Sequence, residues 1–231
     1  MNSLFIVSTP IGNIEDITIR ALKVLFEADV IACEDTRRTG QLLKIYDLRF
    51  KNHESNNKGK LISFYDEVEE NKTQEIIELI KDGKKVALVS DAGTPLISDP
   101  GFKLVRECIK NNIQIISVPG PSAVIAALSI SGLPTNQFLF LGYPPPKTGA
   151  RLKLLSNIKS TFEHSQIRPT IIFFESPHKI HGTLEDLKST FGDIEIVICR
   201  ELTKIHEEVI RDNISKILTN NNLKGEICIL F

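Results

Sequence analysis

Residues 86–95 have the sequence Val86-Ala87-Leu88-Val89-Ser90-Asp91-Ala92-Gly93-Thr94-Pro95. A short run that is apolar on both faces ends here in a loop containing small residues, glycine and proline. Continuous apolar runs of this length are typical of strands buried on both faces, as in parallel sheets covered by helices. The stretch therefore predicts a central parallel strand whose carboxyl end carries a glycine-containing loop.

The same alternation of apolar runs and helical patterns extends over the first half of the chain. Strands are predicted at Leu4–Ser8, Val30–Cys33, Leu61–Tyr65, Val86–Ser90 and Ile113–Val118. Helices are predicted at residues 17–28 with Asp16 as N-cap, and at Thr39–Tyr46, Thr73–Asp82 and Phe102–Asn111. A polar loop is predicted at Arg49–Lys60. The alternation predicts an α/β domain with a mostly parallel sheet over residues 1–119.

The pattern restarts after Pro119-Gly120-Pro121. Strands are predicted at Phe138–Tyr143, Thr170–Glu175, Glu195–Arg200, near Val209–Ile210 and at Ile227–Phe231, with helices at Ser122–Ile130, Arg151–Phe162, His178–Thr190 and Ile214–Thr219. Several short strands at close spacing favour a mixed sheet. We therefore expect a second α/β domain over residues 120–231.

Bulk composition is that of a soluble globular protein. The 231 residues are 42% hydrophobic and 25% charged, with a formal net charge of −1. No apolar run has the length of a membrane span, and the N-terminal residues lack the features of a signal peptide, so we expect a cytoplasmic protein. The four cysteines form no C-x-x-C pair, which predicts buried free thiols and no metal site.

Charge is unevenly distributed despite the near-neutral total. Residues 63–82 contain seven Asp or Glu and two Lys, whereas residues 143–182 contain six Lys or Arg, three His and two Glu. The second segment predicts a basic surface, which is consistent either with RNA contact or with a solvated loop and helix face.

Three loops rich in glycine and proline follow predicted strands, at residues 8–13, 90–95 and 118–123. Ligands of open α/β sheets bind outside the carboxyl ends of the strands, so these loops predict one small-molecule site. The chain has no P-loop motif, no G-x-G-x-x-G after its first strand and no nucleophile elbow. Loops with backbone groups and few charges suit adenosine and a methionine tail better than a triphosphate.

Short motifs along nearly the whole chain are shared with one family. They are Thr9–Asn13, Glu34–Arg37, Val89–Gly101, Pro119–Ala123, Ser131–Thr135, Phe174–His178, Arg200–Lys204, residues 206–208 and Lys224–Glu226. Together they resemble the ribosomal RNA small subunit methyltransferase I family, which belongs to the tetrapyrrole-methylase-like (class III) methyltransferases. None of these motifs is specific for the family by itself, but the complete set in this order is specific for it.

The resemblance implies a fold, a cofactor and a reaction. It implies two α/β domains with S-adenosyl-L-methionine in the cleft between them, usually in a homodimer. The implied reaction is 2′-O-methylation of a cytidine in the decoding region of 16S ribosomal RNA, on the small ribosomal subunit. The implied cofactor-binding residues are Pro10, Gly12, Asp91, Ala92, Gly93, Pro95, Ser122, Ala123, Phe174, Gly225 and Ile227.

Polar residues in these motifs are the candidates for catalysis. Glu34 and Asp35 follow the second strand, where a carboxylate could orient or deprotonate a ribose hydroxyl, or simply cap the next helix. Lys204 lies among acidic residues, where it could touch the ribose or form an internal ion pair. Our hypothesis is that Lys204 or Asp35 contacts the reacting ribose. The predicted RNA contacts are Arg37, Arg38, Lys147, Arg151, His178 and Lys179.

The sequence departs from the family pattern in three places. A histidine-containing segment of the family is replaced by the acidic stretch Phe64–Asn71, and the loop Gly142–Lys147 carries one basic residue. Many relatives also continue with a further helical region beyond the position of Phe231. Two other functions therefore stay open at this point. They are methylation of a tetrapyrrole ring carbon, and ribosome binding by a catalytically silent protein.

Overall fold

A computed structural model describes residues 3–49, 59–219 and 223–231. Most of the predicted polar loop at 49–60, namely residues 50–58, lies outside the described residues. The chain divides into two units, Met1–Ser122 and Ala123–Phe231. Each unit has its own five-stranded sheet.

The first unit is built on a parallel sheet. Its strands are β1 (Ser3–Val7), β2 (Val30–Cys33), β3 (Lys60–Ser63), β4 (Val86–Leu88) and β5 (Gln114–Val118), in the order β3-β2-β4-β1-β5. Its helices are α1 (Ile19–Glu27), α2 (Thr36–Arg49), α3 (Glu69–Lys81) and α4 (Phe102–Lys110). Every pairing in this sheet is parallel. The loops that follow the strands therefore leave the sheet at one edge.

Strand β4 is apolar on both faces because each face packs into a different core. Val86 and Leu88 contribute to a cluster that includes Ile76 of α3 and Leu104 of α4. Ala87 contributes to a second cluster with the apolar side of α1. Helices on both faces thus explain the unbroken apolar run at the centre of the sheet.

Helix α1 begins two residues later than the sequence predicted. Thr18 is its N-cap, and the Thr18 hydroxyl accepts a hydrogen bond from the N–H of Ala21 at 3.1 Å. Asp16 lies instead in a 3-10 turn, Ile14–Asp16, whose N-cap is Asn13. The prediction of Asp16 as N-cap was wrong because a threonine closer to the helix satisfies the free N–H group.

The second unit contains a mixed sheet. Its strands are β6 (Phe138–Phe140), β7 (Thr170–Glu175), β8 (Glu195–Arg200), β9 (Glu208–Asn213) and β10 (Ile227–Leu230), in the order β6-β7-β10-β8-β9. Its helices are α5 (Ala123–Ser131), α6 (Thr148–His164), α7 (Ile180–Phe191) and α8 (Ile214–Ile217). β6 and β7 are parallel, and the other pairings are antiparallel. The loops after β6 and β7 are therefore neighbours.

A large hydrophobic cluster of the second unit lies on one face of its sheet. Phe173 of β7 and Ile198 of β8 pack there against Leu155 of α6, Leu184 of α7 and Ile214 of α8. All four cysteines of the chain are buried with free thiols, as predicted. No helix among the described residues is long and apolar enough to span a membrane.

Candidate active site

Three loops of the first unit are tied together at the carboxyl edge of its sheet. Thr9 and Gly93 exchange two backbone hydrogen bonds, with N–O distances of 2.9 and 3.0 Å. The Thr94 hydroxyl donates to the carbonyl of Pro121 at 3.0 Å and lies 3.0 Å from the Ser8 hydroxyl. The loops after β1, β4 and β5 therefore form one continuous surface. The small-molecule site predicted from the sequence needs such a surface.

Glycine is needed at two points of this surface. Gly93 has a φ of +81°, and a Cβ there would lie 3.3 Å from Ile11 Cγ2. A Cβ at Gly120 would lie 3.0 Å from Ser8 Cβ. Backbone of this kind can approach a ligand closely, because no side chain stands between them.

A cavity of about 220 Å³ opens beside the first two loops. Its lining includes Pro10, Gly12, Asp91 and Ala92, four of the predicted cofactor-binding residues, together with Arg38 and Ser90. Gly93 and Pro95, in the same loop as Asp91 and Ala92, are buried. The volume is smaller than the roughly 300–1,000 Å³ of a drug-sized ligand pocket. This cavity is therefore smaller than a site that encloses a whole ligand of drug size.

Carboxylates gather beside this cavity. The Asp91 carboxylate accepts from the N–H of Asp35 at 3.1 Å and from Arg38 Nη1 at 3.0 Å. The N–H of Asp91 in turn donates to Glu34 Oε1 at 3.2 Å. Burial, followed by the charge of Asp99, raises the pKa of Glu34 to about 7. Burial also raises the pKa of Asp99 to about 6.

Asp35 has a different environment from its neighbour Glu34. Its carboxylate accepts from the N–H of Arg37 at 2.8 Å and pairs with Arg37 Nη2 at 2.9 Å. These hydrogen bonds from Arg37 lower the pKa of Asp35 to about 2. Asp35 therefore caps the start of α2 and is a weak proton acceptor. Arg37 and Arg38 keep most of their side-chain surface exposed, 87% and 71%.

Lys204 lies in a tight turn of the second unit, between β8 and β9. Its Nζ contacts Glu201 Oε1 at 2.9 Å and Glu226 Oε2 at 3.0 Å. Burial alone would lower the pKa of Lys204, but the hydrogen bonds to the two carboxylates raise it above its ordinary value. Lys204 is therefore a cation held by an internal ion pair. The backbone of this turn has positive φ at Glu201 (50°) and Thr203 (65°).

The backbone of Gly225 packs closely against this turn. It has a φ of +87°, and a Cβ there would lie 2.3 Å from Glu201 Oε1. A cavity of about 300 Å³ adjoins it, lined by Arg200, Glu201, His206, Lys224 and Gly225. Ile227, also a predicted cofactor contact, is buried and pairs with Arg200 and Glu175 of the adjacent strands.

Four more predicted residues of the second unit lie in β7 or in the loops after β6 and β7. Phe174 is half-buried, whereas Lys147, His178 and Lys179 are exposed. Ser122 and Ala123 stand at the division between the units, at the start of α5.

Arg151 does not belong to the RNA contacts that the sequence predicted. The residue is 5% exposed, and its Nε donates to Asp186 Oδ2 at 2.7 Å. A guanidinium neutralised inside the unit cannot reach a phosphate in solvent. Helical periodicity places Arg151 on α6, but a sequence does not reveal which face of that helix meets α7.

Two residues of interest were not singled out from the sequence. Asp99 lies within a quoted motif, yet its influence on Glu34 depends on the fold that brings the loops after β2 and β4 together. Tyr143 was included only in a loop, although it presents 61% of its surface. No group of three or more potential metal ligands occurs among the residues that the structure describes.

The fold is that of a known class of methyltransferases. The family model described as "Tetrapyrrole (Corrin/Porphyrin) Methylases" matches residues 3–218. A cobalt precorrin-4 methyltransferase structure aligns with a TM-score of 0.67 at 18% identity, covering 99% of this chain and 94% of that one. The uroporphyrin-III C-methyltransferase of Thermus thermophilus aligns with a TM-score of 0.66 at 20% identity, covering 100% and 94%. These two similarities concern the fold alone.

Closer relatives share one name, Ribosomal RNA small subunit methyltransferase I. The Thermotoga maritima protein is 44% identical, covering 100% of this chain and 98% of its own length. The Hydrogenobaculum sp. protein is 47% identical over 98% and 94%, and that of Halalkalibacterium halodurans 41% over 99% and 75%. The chain therefore belongs to the tetrapyrrole methylases and, within them, to the ribosomal RNA small subunit methyltransferase I family. The resemblance predicted from the motifs is confirmed.

Proposed function

We propose that this protein transfers a methyl group from S-adenosyl-L-methionine to the ribose 2′-hydroxyl of a cytidine in the decoding region of 16S ribosomal RNA. The observation that carries the proposal is near full-length identity of 44–47% to relatives named for small-subunit ribosomal RNA methylation. The nucleotide and its position come from the family resemblance of the motifs. We further propose that the protein acts on the small ribosomal subunit in the cytoplasm, as a homodimer.

The residues present suit S-adenosylmethionine. Gly93 and Gly225 have no side chain and a positive φ, so a ligand can lie directly against the backbone of both loops. The carboxylates of Glu34 and Asp91 suit a ligand that carries a positive sulfonium. In the proposed site the cofactor contacts Pro10, Gly12, Asp91, Ala92, Gly93, Pro95, Ser122, Ala123, Phe174, Gly225 and Ile227. When bound, the cofactor supplies an activated methyl group for in-line displacement.

Glu34 is the residue best suited to act as general base. A ribose hydroxyl holds its proton tightly, so a positioned proton acceptor accelerates its reaction. General bases work best with a pKa near the operating pH, and burial raises the pKa of Glu34 to about 7. Asp35, with a pKa lowered to about 2 by Arg37, is suited to holding α2 instead. Glu34 also touches the proposed cofactor loop through the N–H of Asp91.

Exposed basic side chains are the proposed RNA contacts. Arg37 and Arg38 lie next to the carboxylates of the first unit, and Lys147, His178 and Lys179 lie in the loops of the second. Their contacts with phosphates would make affinity for the small subunit fall steeply as salt rises. Lys204 in this proposal is a cation near the ribose, positioned by Glu201 and Glu226.

Methyl transfer to isolated small subunits tests the proposal. Subunits lacking the modification are incubated with the protein and S-adenosylmethionine labelled in its methyl group. The label is then mapped by the resistance of a 2′-O-methylated nucleotide to alkaline cleavage. Label at one decoding-region cytidine, and none on subunits already modified there, is the expected result. Absence of label from a protein that still binds the cofactor would overturn the proposal and favour a tetrapyrrole substrate or a silent ribosome-binding protein.

A further inference from the structure

An exposed aromatic ring projects from the loop that follows β6. Tyr143 has 61% of its surface accessible. Its ring packs edgewise on Phe174, with centroids 5.8 Å apart, and Phe174 packs in the same manner on Phe140 at 4.8 Å. Tyr143 is thus the outermost member of a row of three rings whose inner members belong to the sheet.

The backbone that carries Tyr143 is held on both sides. The carbonyl of Gly142 accepts from the N–H of Phe174 at 2.9 Å. On the other side, Arg151 Nη1 lies 3.4 Å from the carbonyl oxygens of both Pro145 and Pro146. Three consecutive prolines restrict the intervening chain. A ring on such a loop binds a ligand with little loss of conformational freedom.

Basic residues lie on the loop that carries the ring and on the loop next to it. Lys147 lies on the same loop, and His178 and Lys179 lie on the adjacent loop after β7. The acid that ends β7 just before this second loop, Glu175, is buried and accepts from the N–H of Ser176 at 2.7 Å and from the Thr183 hydroxyl at 2.5 Å. The two loops therefore carry two exposed lysines and no carboxylate.

We propose that Tyr143 is a stacking platform for one unpaired base of the ribosomal RNA substrate, with Lys147 and Lys179 contacting the phosphates beside it. This inference rests on the proposed function. Aromatic rings flanked by Lys and Arg are the usual means of binding single-stranded nucleic acid, since every base offers a π-face for stacking. The positive surroundings favour RNA over a second copy of this near-neutral chain. Arg151 is a positioning residue that holds the loop.

Tyr143→Ala and Tyr143→Phe separate stacking from other roles of the ring. Loss of one stacked base should raise the KM for unmodified small subunits at least about fivefold with kcat little changed. Tyr143→Phe keeps the π-face and should retain the wild-type KM. Ile167→Ala is the matched control, because Ile167 is 55% exposed but precedes β7 at the opposite end of the strand from Phe174. The same order of affinities is expected for a fluorescent single-stranded RNA with the decoding-region sequence.

Several results would overturn the inference. Equal losses for Tyr143→Ala and Tyr143→Phe would assign the effect to the hydroxyl rather than to stacking. Weaker binding of S-adenosylmethionine by Tyr143→Ala, measured by calorimetry, would assign the ring to the cofactor. A changed sedimentation coefficient with an unchanged KM would assign it to contact between copies. Wild-type protein that methylates no small subunit would instead refute the proposed function, so the two failures are distinguishable.

Discussion

The N–H of Asp91 donates a hydrogen bond to Glu34 Oε1 over 3.2 Å. It links the carboxyl end of β2 to the loop after β4, the strand beside it in the sheet. The proposed general base is thereby attached to the loop proposed to hold the cofactor. Since burial raises the pKa of Glu34 to about 7, this carboxyl can release or accept a proton near neutral pH.

Glu34→Gln should lower the rate of methyl transfer by about 10²- to 10⁴-fold, the usual contribution of a general base. The amide oxygen of glutamine can still accept from Asp91, but it cannot take a proton. In the wild-type protein only the ionised form is active, so single-turnover rates should rise with pH and level off above about 7. An unchanged pH profile in Glu34→Gln would exclude Glu34 as the base.

Asp99→Asn should shift the pH profile of the wild-type reaction to lower pH. After burial, the charge of Asp99 is the largest influence that raises the pKa of Glu34. Removing that charge favours the ionised form of Glu34, so the midpoint of the rate profile falls. Asp35→Asn is the control, because Arg37 already neutralises Asp35. Its midpoint should stay at that of the wild type, whatever its maximal rate.

Glu34 should also make the folded protein less stable as pH rises. Its pKa in the folded protein is about 7, against an ordinary value of 4.5. Between these pH values the unfolded chain has released a proton that the folded protein retains, so the free energy of unfolding decreases through this window. Above pH 7, Glu34→Gln should therefore be more stable than wild type by roughly 1–2 kcal/mol after allowance for solvent screening.

Urea denaturation at pH 4.5 and pH 8 measures this difference. The gain should be present at pH 8 and absent at pH 4.5. Glu163→Gln, which changes an exposed glutamate of α6, serves as control and should show no gain at either pH. A gain of equal size at both pH values would mean that the amide stabilises the site by packing, independently of ionisation.

The sequence predicted most of the fold because its strongest signals are local. The strand predicted at Val86–Ser90 contains β4, which ends at Leu88, and alternation of strands with helices indicates a parallel sheet. The same reasoning predicted that the three glycine-containing loops lie close together, because the strands of a parallel sheet end at the same edge. Motif order then identified the family, which no single motif could do.

Features that depend on contacts between distant elements could not be predicted. The different pKa values of Glu34 and Asp35 are an example: both follow β2, but one is buried near Asp99 and the other pairs with Arg37. Burial of Arg151 depends on the placement of α6 against α7. The charge of Arg151 alone therefore predicted a position at the surface. The neighbouring positions of Glu34 and Asp35 in the sequence did not show which one is the proposed general base and which one caps α2.

Arg151→Ala should destabilise the second unit by about 3–5 kcal/mol, because it leaves the buried carboxylate of Asp186 without its partner. The pair lies almost wholly out of solvent, at 5% and 9% exposure. Replacing both partners, as Arg151→Met with Asp186→Leu, removes the unpaired charge and should cost much less. Thermal or urea denaturation gives both values. If the single and double variants were equally stable, the contribution of Arg151 to stability would not come from its ion pair with Asp186.

Gly225→Ala should destabilise the protein more than Gly83→Ala and should also weaken binding of S-adenosylmethionine. Both glycines have positive φ, +87° and +83°, so alanine should incur about 1–2 kcal/mol of backbone strain at either position. Only at Gly225 does the new Cβ meet another group, since it would lie 2.3 Å from Glu201 Oε1. To relieve this clash, the Glu201 carboxylate must leave both Lys204 and the N–H of Glu226. Urea denaturation and calorimetric titration with the cofactor measure the two effects. Identical stability and affinity of the two variants would show that the turn accommodates the new Cβ without loss of either.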